Sequence, residues 1–241
     1  MTGAPVRIIV NHLTRMEKGY ICVAGIDKET MRHVRPVLDG RLSTAFLARN
    51  SGPFDIACIV DLGPTTHVGR PPEMEDYGFE SRKAARSGTI SPDNFWKLLA
   101  QLARNRLSEI FGPELTQRGQ SSCAVDVGQG HASLGCMVTT NRPTLYLKSR
   151  PDRPEQIRIH LRDDEFDLDL SVTDIRFYRD DHVTPNHTIV SQVARRLERG
   201  IGVILSIGLT RPFTPSDDLP PVHWLQVNNI HLEDNPTWRL G

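Results

Sequence analysis

Hydrophobic residues fall in short bursts with polar punctuation, and their period changes along the chain. VRIIVNHL (6–13) is strand length and dominated by Val, Ile and Leu. TRMEKG then ends in Gly19 as a turn, and YICVAGID (20–27) gives a second strand. After the polar turn DKET, HVRPVL (33–38) gives a third. In it His33 and Arg35 share one face, and Val34 and Pro36 the other. Pro36 cannot donate to a ladder, so this strand is expected at an edge or near its own end. FDIACIVDLG (54–63) is a longer apolar strand. Residues 64–90, rich in Pro, Gly and charge, read as a long loop or connector, a length that usually marks a functional or mobile loop.

The period then becomes helical. Ser91 is a good N-cap and Pro92 suits the first turn. Phe95, Leu98, Leu99, Leu102 and Ile110 recur at helical spacing until Gly112 and Pro113. Beyond a Gly/Ser-rich stretch, SLGCMV (133–138), TLYLKS (144–149) and IRIHLRD (157–163) read as strands. EFDLDLSVTDIRFY (165–178) alternates Phe166, Leu168 and Leu170 with Asp167, Asp169 and Ser171. That is a half-buried strand with an acidic outer face, bending near Ser171, and it accounts for DDEFDLD without a metal. A second helix has Thr184 as cap, Pro185 at its first position, and Ile189, Val193 and Leu197 facing inward. Arg195, Arg196 and Arg199 crowd its last turn, where the helix dipole favours cations. GVILSIGLT (202–210) and VHWLQVNNIHL (222–232) are the final strands, and Trp238 is expected to fold back.

The order in the C-terminal half is strand, strand, bent strand, helix, strand, strand, which is the layout of an OB-fold. The N-terminal half offers about four strands, a connector and a helix, a more degenerate second barrel. The expected fold class is therefore mainly β with a few helices: two OB-like small barrels joined by a helical connector. Residues 1–120 carry the first barrel and connector helix, and 121–241 the second.

Composition narrows the class. With 38% apolar and 24% charged residues the chain is an ordinary globular one, and no apolar run approaches the length of a membrane span. Cys22, Cys58, Cys123 and Cys136 form no CxxC pair, which argues against zinc and for a reducing cytoplasm. Lys+Arg and Asp+Glu both number 29, so a generic charge-driven polyanion binder is disfavoured. The charge is segregated, however: residues 1–50 hold eight basic and four acidic side chains, and residues 151–181 five and ten. Separate basic and acidic surfaces follow if those segments separate in space.

Several segments resemble the prokaryotic dual OB-containing domain family. They are VRIIVNHLTR, GYICVAGID and HVRPV near the start, ISPDNFWKLL and IFGPEL in the middle, and ILSIGLTRPF and HWLQVNNIHL near the end. They occur in that shared order from about residue 6 to residue 232. The resemblance implies two OB-like barrels and a nucleic-acid or nucleotide-binding role, often in prokaryotic defence or conflict. It brings no catalytic residues with it. MRHVRPV departs from the family pattern, with Arg32-His33 where an aromatic, commonly Trp, is expected. A stacking platform is thereby removed.

OB barrels bind ligands on the face of strands two and three and in flanking loops. That rule makes Arg15, Lys18, Tyr20, His33 and Arg35 the candidate nucleic-acid-binding residues of the first barrel. Arg and Lys would contact phosphates, and Tyr20 would stack a base. Arg211, in the loop between strands four and five of the second barrel, completes the set; a salt bridge to Asp217 or Asp218 is its structural alternative. Asn11 and His12 read as a strand-end Asn and a surface His. RKAARSG (82–88) is a basic connector. Asp174 marks either an acid–base site or a barrel corner. His182 and His187, near Asp180 and Asp181, match no strong metal motif. No GxSxG, HExxH or P-loop occurs, and no cofactor is expected. The favoured reading is a non-catalytic module for nucleic acid or nucleotides. An enzyme acting on nucleic acid or nucleotides, or a scaffold for a protein partner, are the alternatives.

Overall fold

The computed structural model describes residues 5–139, 141–151, 153–214 and 219–238. β1 (Pro5–Arg15), β2 (Tyr20–Asp27) and β3 (His33–Val37) form an antiparallel meander. β5 (Cys58–His67) returns to pair with β1, and β6 (Asp76–Phe79) pairs antiparallel with β5 and parallel with β3. The circuit β1-β2-β3-β6-β5-β1 is thus closed, which leaves the barrel without free edges. β4 (Leu42–Ser43) adds to β2, and β7 (Ala85–Thr89) lies against β5. The wall is tight at Gly25: a β-carbon there would sit 2.7 Å from the Ile9 carbonyl oxygen. Only glycine lets β1 and β2 approach so closely.

The stretch expected as a loop over 64–90 therefore contains the end of β5, all of β6 and all of β7. Its strands are short and polar, DYGF and ARSGT, and carry no apolar run for the pattern to reveal. RKAARSG is an edge strand, with Arg86 opposite Val60, and not a free connector.

α1 (Pro92–Leu102) starts as the sequence predicts, with the Asn94 N–H donating to Ser91 Oγ. It ends eight residues before Ile110, because Arg104 is drawn into a bridge with Met137. The backbone N–H of Arg104 donates to Cys136 O at 2.9 Å, and Val138 N–H donates to Arg104 O at 3.0 Å. Ile110 falls in a separate turn of helix, α2 (Ser108–Phe111).

The second unit comprises β8 (Thr116–Arg118), β9 (Ser122–Asp126), β10 (Leu134–Val138), β11 (Thr144–Arg150), β12 (Arg153–Arg162), β13 (Asp167–Ser171), α3 (His187–Glu198), β14 (Val203–Leu209) and β15 (Val222–Leu232). Its first barrel strand is broken in two. β10 pairs with β14, while β11 pairs with β12. β13 reaches β15 through the parallel bridge Val172–Val227, the counterpart of the parallel β3–β6 pair. The bent strand expected to run to Phe177 stops at Ser171, and a 3-10 turn covers Ile175–Phe177. Buried Asp174 caps that turn and pairs with Arg176 at 2.7 Å, which makes it a corner residue. α3 is capped by Asn186, two residues after the expected Thr184, and buries Val190, Val193 and Leu197. Trp238 folds back, its indole N–H donating to Ile230 O at 3.0 Å.

The apolar interior is in two parts. One runs from Ile8 to Leu99, and the other from Leu107 to Trp238. Cys136, Ile175 and Ile204 cross over and pack into the first. Such crossing residues mark a shared seam, along which β1 lies against β15. No helix among the described residues is long and apolar enough to cross a membrane.

Candidate functional site

The seam is polar, and it begins with a bulge. Val10 pairs with Gly25 and His12 with Ala24, so Asn11 is an extra residue in β1. A bulge re-aims side chains. Here Asn11 and His12 both approach His33, the amide at 3.2 Å from its Nε2 and the His12 ring at 5.1 Å in an edge-on contact. Contrary to the expectation of a strand-end Asn and a surface His, both are fully buried. The backbone of β1 continues to Arg15, and the second barrel covers it.

The second barrel meets this bulge with β14 and β15. Asn229 clasps β1 like a strand, its Oδ1 accepting from Leu13 N–H at 2.7 Å and its Nδ2 donating to Leu13 O at 3.2 Å. Asn11 donates to Ser206 Oγ at 3.2 Å, and Ser206 lies 3.0 Å from His231 Nε2. Burial lowers His33 to about 4 and His231 to about 3. His12 is held well below its ordinary range by burial first, then by the charges of His33, His231 and Arg35. The Ser206–His231 and Cys136–His33 pairs superficially suggest nucleophiles. Ser206 and His231 are completely inaccessible, and burial pushes the Cys136 thiol up to about 12. Both pairs belong to the joint between the barrels.

The segment Glu73–Asp76, which leads into β6, also fastens the seam. Glu75 accepts from Ser133 N–H at 2.9 Å and Ser133 Oγ–H at 2.7 Å, and burial raises its carboxyl. Asp76 accepts from Arg35 Nε at 2.5 Å and from Arg211 Nη2 at 2.8 Å. Glu73 takes Arg211 Nη1 at 2.6 Å. Arg35 and Arg211 thus come from different barrels and share one pair of carboxylates.

Between β2–β3 of the first barrel and β14–β15 of the second lies a cleft of about 770 Å³. Of the residues singled out from sequence, Arg15, Arg35 and Arg211 line it. Arg35 is only 3% exposed and is spent on Asp76, so it forms wall and joint together. Arg211 is half-exposed and faces carboxylates of the first barrel; Asp217 and Asp218 lie outside the described residues. Arg15 stacks on Tyr178 at 4.1 Å and donates to His182 O at 3.1 Å. Lys18 is exposed in the β1–β2 turn, with left-handed backbone at φ 59°. Tyr20 sits under Arg41, a cleft residue, at 5.5 Å. His33 is turned into the seam and not the cleft.

Sequence reasoning missed the other wall. Trp224, Leu225, Gln226 and Asn228 line the cleft from β15; Leu225 also packs into the core, as Val227 does. The signal was there as period-two alternation within HWLQVNN. Trp224 donates from its indole N–H to Phe213 O at 3.3 Å, with the two rings 6.3 Å apart. Gly208 makes room for Asn228: a β-carbon there would fall 2.5 Å from the amide nitrogen. Among the described residues no cluster of metal-ligating side chains occurs. Asp181 caps Thr184, Asp180 pairs with Arg49, and His187 pairs with Glu155, so these groups are scattered.

Two barrels in series, each with a parallel closing contact, agree with a sequence match to the dual OB-containing domain over residues 6–230. The chain belongs to the dual OB-containing domain family. No curated protein matches it in sequence. Among solved structures, this dual OB chain is similar to the crystal structure of the p204 HINb domain at 11% identity and TM-score 0.35, over 94% of this chain and 97% of that one. It is also similar to a murine DNA binding protein bound with double-stranded DNA, at 10% identity and TM-score 0.31, over 95% and 96%. Likenesses this distant do not bear on the ligand of the dual OB chain.

Proposed function

We propose that the cleft between the barrels binds single-stranded nucleic acid or a nucleotide. One observation carries the reading. The cleft joins the strand-two and strand-three face of the first barrel to the loop between strands four and five of the second, the surfaces by which OB-folds hold oligonucleotides. Its lining includes Arg15, Arg41 and Arg211 together with Phe213 and Trp224. Guanidinium groups for phosphates interleaved with aromatic faces for bases are the ingredients of single-strand binding. Among the described residues no carboxylate forms an ion pair with Arg15 or Arg41, so their charge is available to a ligand. A setting in prokaryotic defence, which the family resemblance implies, is part of the same proposal.

The test is fluorescence anisotropy of the full chain with labelled single-stranded DNA, single-stranded RNA, duplex DNA and ATP. With about two phosphate contacts on a single strand, from Arg15 and Arg41, log Kd is expected to change with log salt at a slope near 1.4. Affinity then falls roughly sevenfold from 50 to 200 mM salt. Arg41→Ala is expected to weaken binding and lower that slope. Absence of binding at micromolar protein, or salt-independent binding, would refute the proposal.

A further inference from the structure

The cleft contains an ordered polar row that the arginines do not explain. Gln226 Nε2 donates to Asn228 Oδ1 at 2.8 Å, and Asn228 Nδ2 lies 3.0 Å from His12 Nδ1. As this network is oriented, Asn228 donates to Nδ1, so the proton of the neutral ring sits on Nε2. That Nε2–H has no acceptor among the described residues, although His12 is 1% exposed and lines the cleft. That atom is closed to solvent, so His12 anchors the row from behind through its Nδ1. Gln226 spends one N–H on Asn228 and keeps its Oε1 and second N–H for the cleft. Because Asn228 is held from behind by Gly208 and His12, the Gln226 amide cannot rotate freely. Trp224, two residues earlier on the same strand, lies about 7 Å away on the same face. Its ring is fixed by the bond to Phe213 O.

Resting on the cleft reading above, we propose that Trp224 and Gln226, the latter braced through Asn228 by His12, form a base-reading subsite with a preference for adenine. The indole offers a stacking face. The Gln226 amide offers an acceptor and a donor side by side, the pairing that matches adenine N6–H and N7. Guanine would bring its O6 acceptor against the Gln226 Oε1 acceptor, and pyrimidines offer a smaller stacking face.

The experiment compares fluorescein-labelled dA12, dT12 and dC12 on the full chain at fixed salt. Wild type is expected to bind dA12 about tenfold more tightly than dT12 or dC12. Gln226→Met and Gln226→Ala are expected to bring dA12 to the dT12 value, leaving dT12 within twofold. Trp224→Ala is expected to weaken all three about equally, by roughly tenfold. Thermal melts confirm that the variants fold, and the wild-type comparison stands without them. Equal wild-type affinities for the three oligomers, or a preference retained in both Gln226 variants, would overturn the base-reading subsite alone. No binding to any oligomer would overturn the cleft reading with it.

Discussion

Acid should loosen the seam between the barrels well before it protonates most carboxylates. His231 is completely buried and holds its pKa near 3, and His33 is near 4. His12 is also lowered. In an unfolded chain each titrates near 6.5. Below that pH the unfolded chain takes up protons that the folded chain refuses, so stability falls as pH falls. The contribution is complete above pH 6.5 and is lost progressively down to the folded values. Each histidine contributes a slope of about 1.4 kcal/mol per pH unit, or about 2 kcal/mol by pH 5. His33 is only half-buried, so its share is discounted for solvent screening. The three together remove about 4–6 kcal/mol by pH 5, against a total stability of about 5–15 kcal/mol for a typical domain. Glu75 works in the opposite direction: its raised carboxyl pKa destabilises the fold when charged, and acid relieves that. The net uptake on unfolding should still lie between one and three protons between pH 6.5 and 5. Guanidinium melts at half-unit pH steps measure it, as the slope of unfolding free energy against pH. His231→Gln should reduce that slope by about one proton equivalent. A wild-type slope below about 1.4 kcal/mol per pH unit would refute the assignment of three neutral buried histidines.

Other substitutions separate joint from binding surface. Arg35→Ala should destabilise by about 3–5 kcal/mol in denaturant melts, since Asp76 loses a buried partner, whereas half-exposed Arg211→Ala should cost about 1 kcal/mol or less. Equal losses for the two would contradict the difference in burial. Asn229→Ala leaves Leu13 N–H and C=O unpaired in the seam and should cost about 2–4 kcal/mol; a neutral result would mean that β1 finds other partners. Gly208→Ala forces a methyl toward the Asn228 amide and should cost about 1–3 kcal/mol while weakening oligonucleotide binding. Unchanged binding with lowered stability would detach Asn228 from the site.

The sequence disclosed those parts of the fold whose local signals are strong. Ser91-Pro92 marks the start of α1 to the residue, and the alternation of β12 and β13 is plain. β6 and β7 were hidden because their ladders are made with β3 and β5, while their own residues are short, polar and Gly-containing. The early end of α1 was hidden for a related reason, since Arg104 is claimed by β10. Propensity describes a segment alone, and these segments are shaped by distant partners. Asn11 and His12 misled for the same cause: polar residues at the end of an apolar run look solvated until a second barrel is laid over them.

Charge explains why the site was only half legible. Arg35 and Arg211 both stand where sequence order expects binding residues, yet each is answered by Glu73 or Asp76 from far away in the chain. A count of basic residues cannot tell such a joint from a free cation. Arg15 and Arg41 are held by aromatic rings instead, Tyr178 and Tyr20, which orient a guanidinium without cancelling its charge. A cleft with four arginines therefore offers a polyanion mainly two, and the rest of its surface is amide, indole and imidazole. Such a wall suits a ligand recognised by its bases as much as by its phosphates. In the proposed reading a zero net charge is compatible with a nucleic-acid site, because selectivity there would depend on the Trp224–Gln226–Asn228 row more than on the total charge.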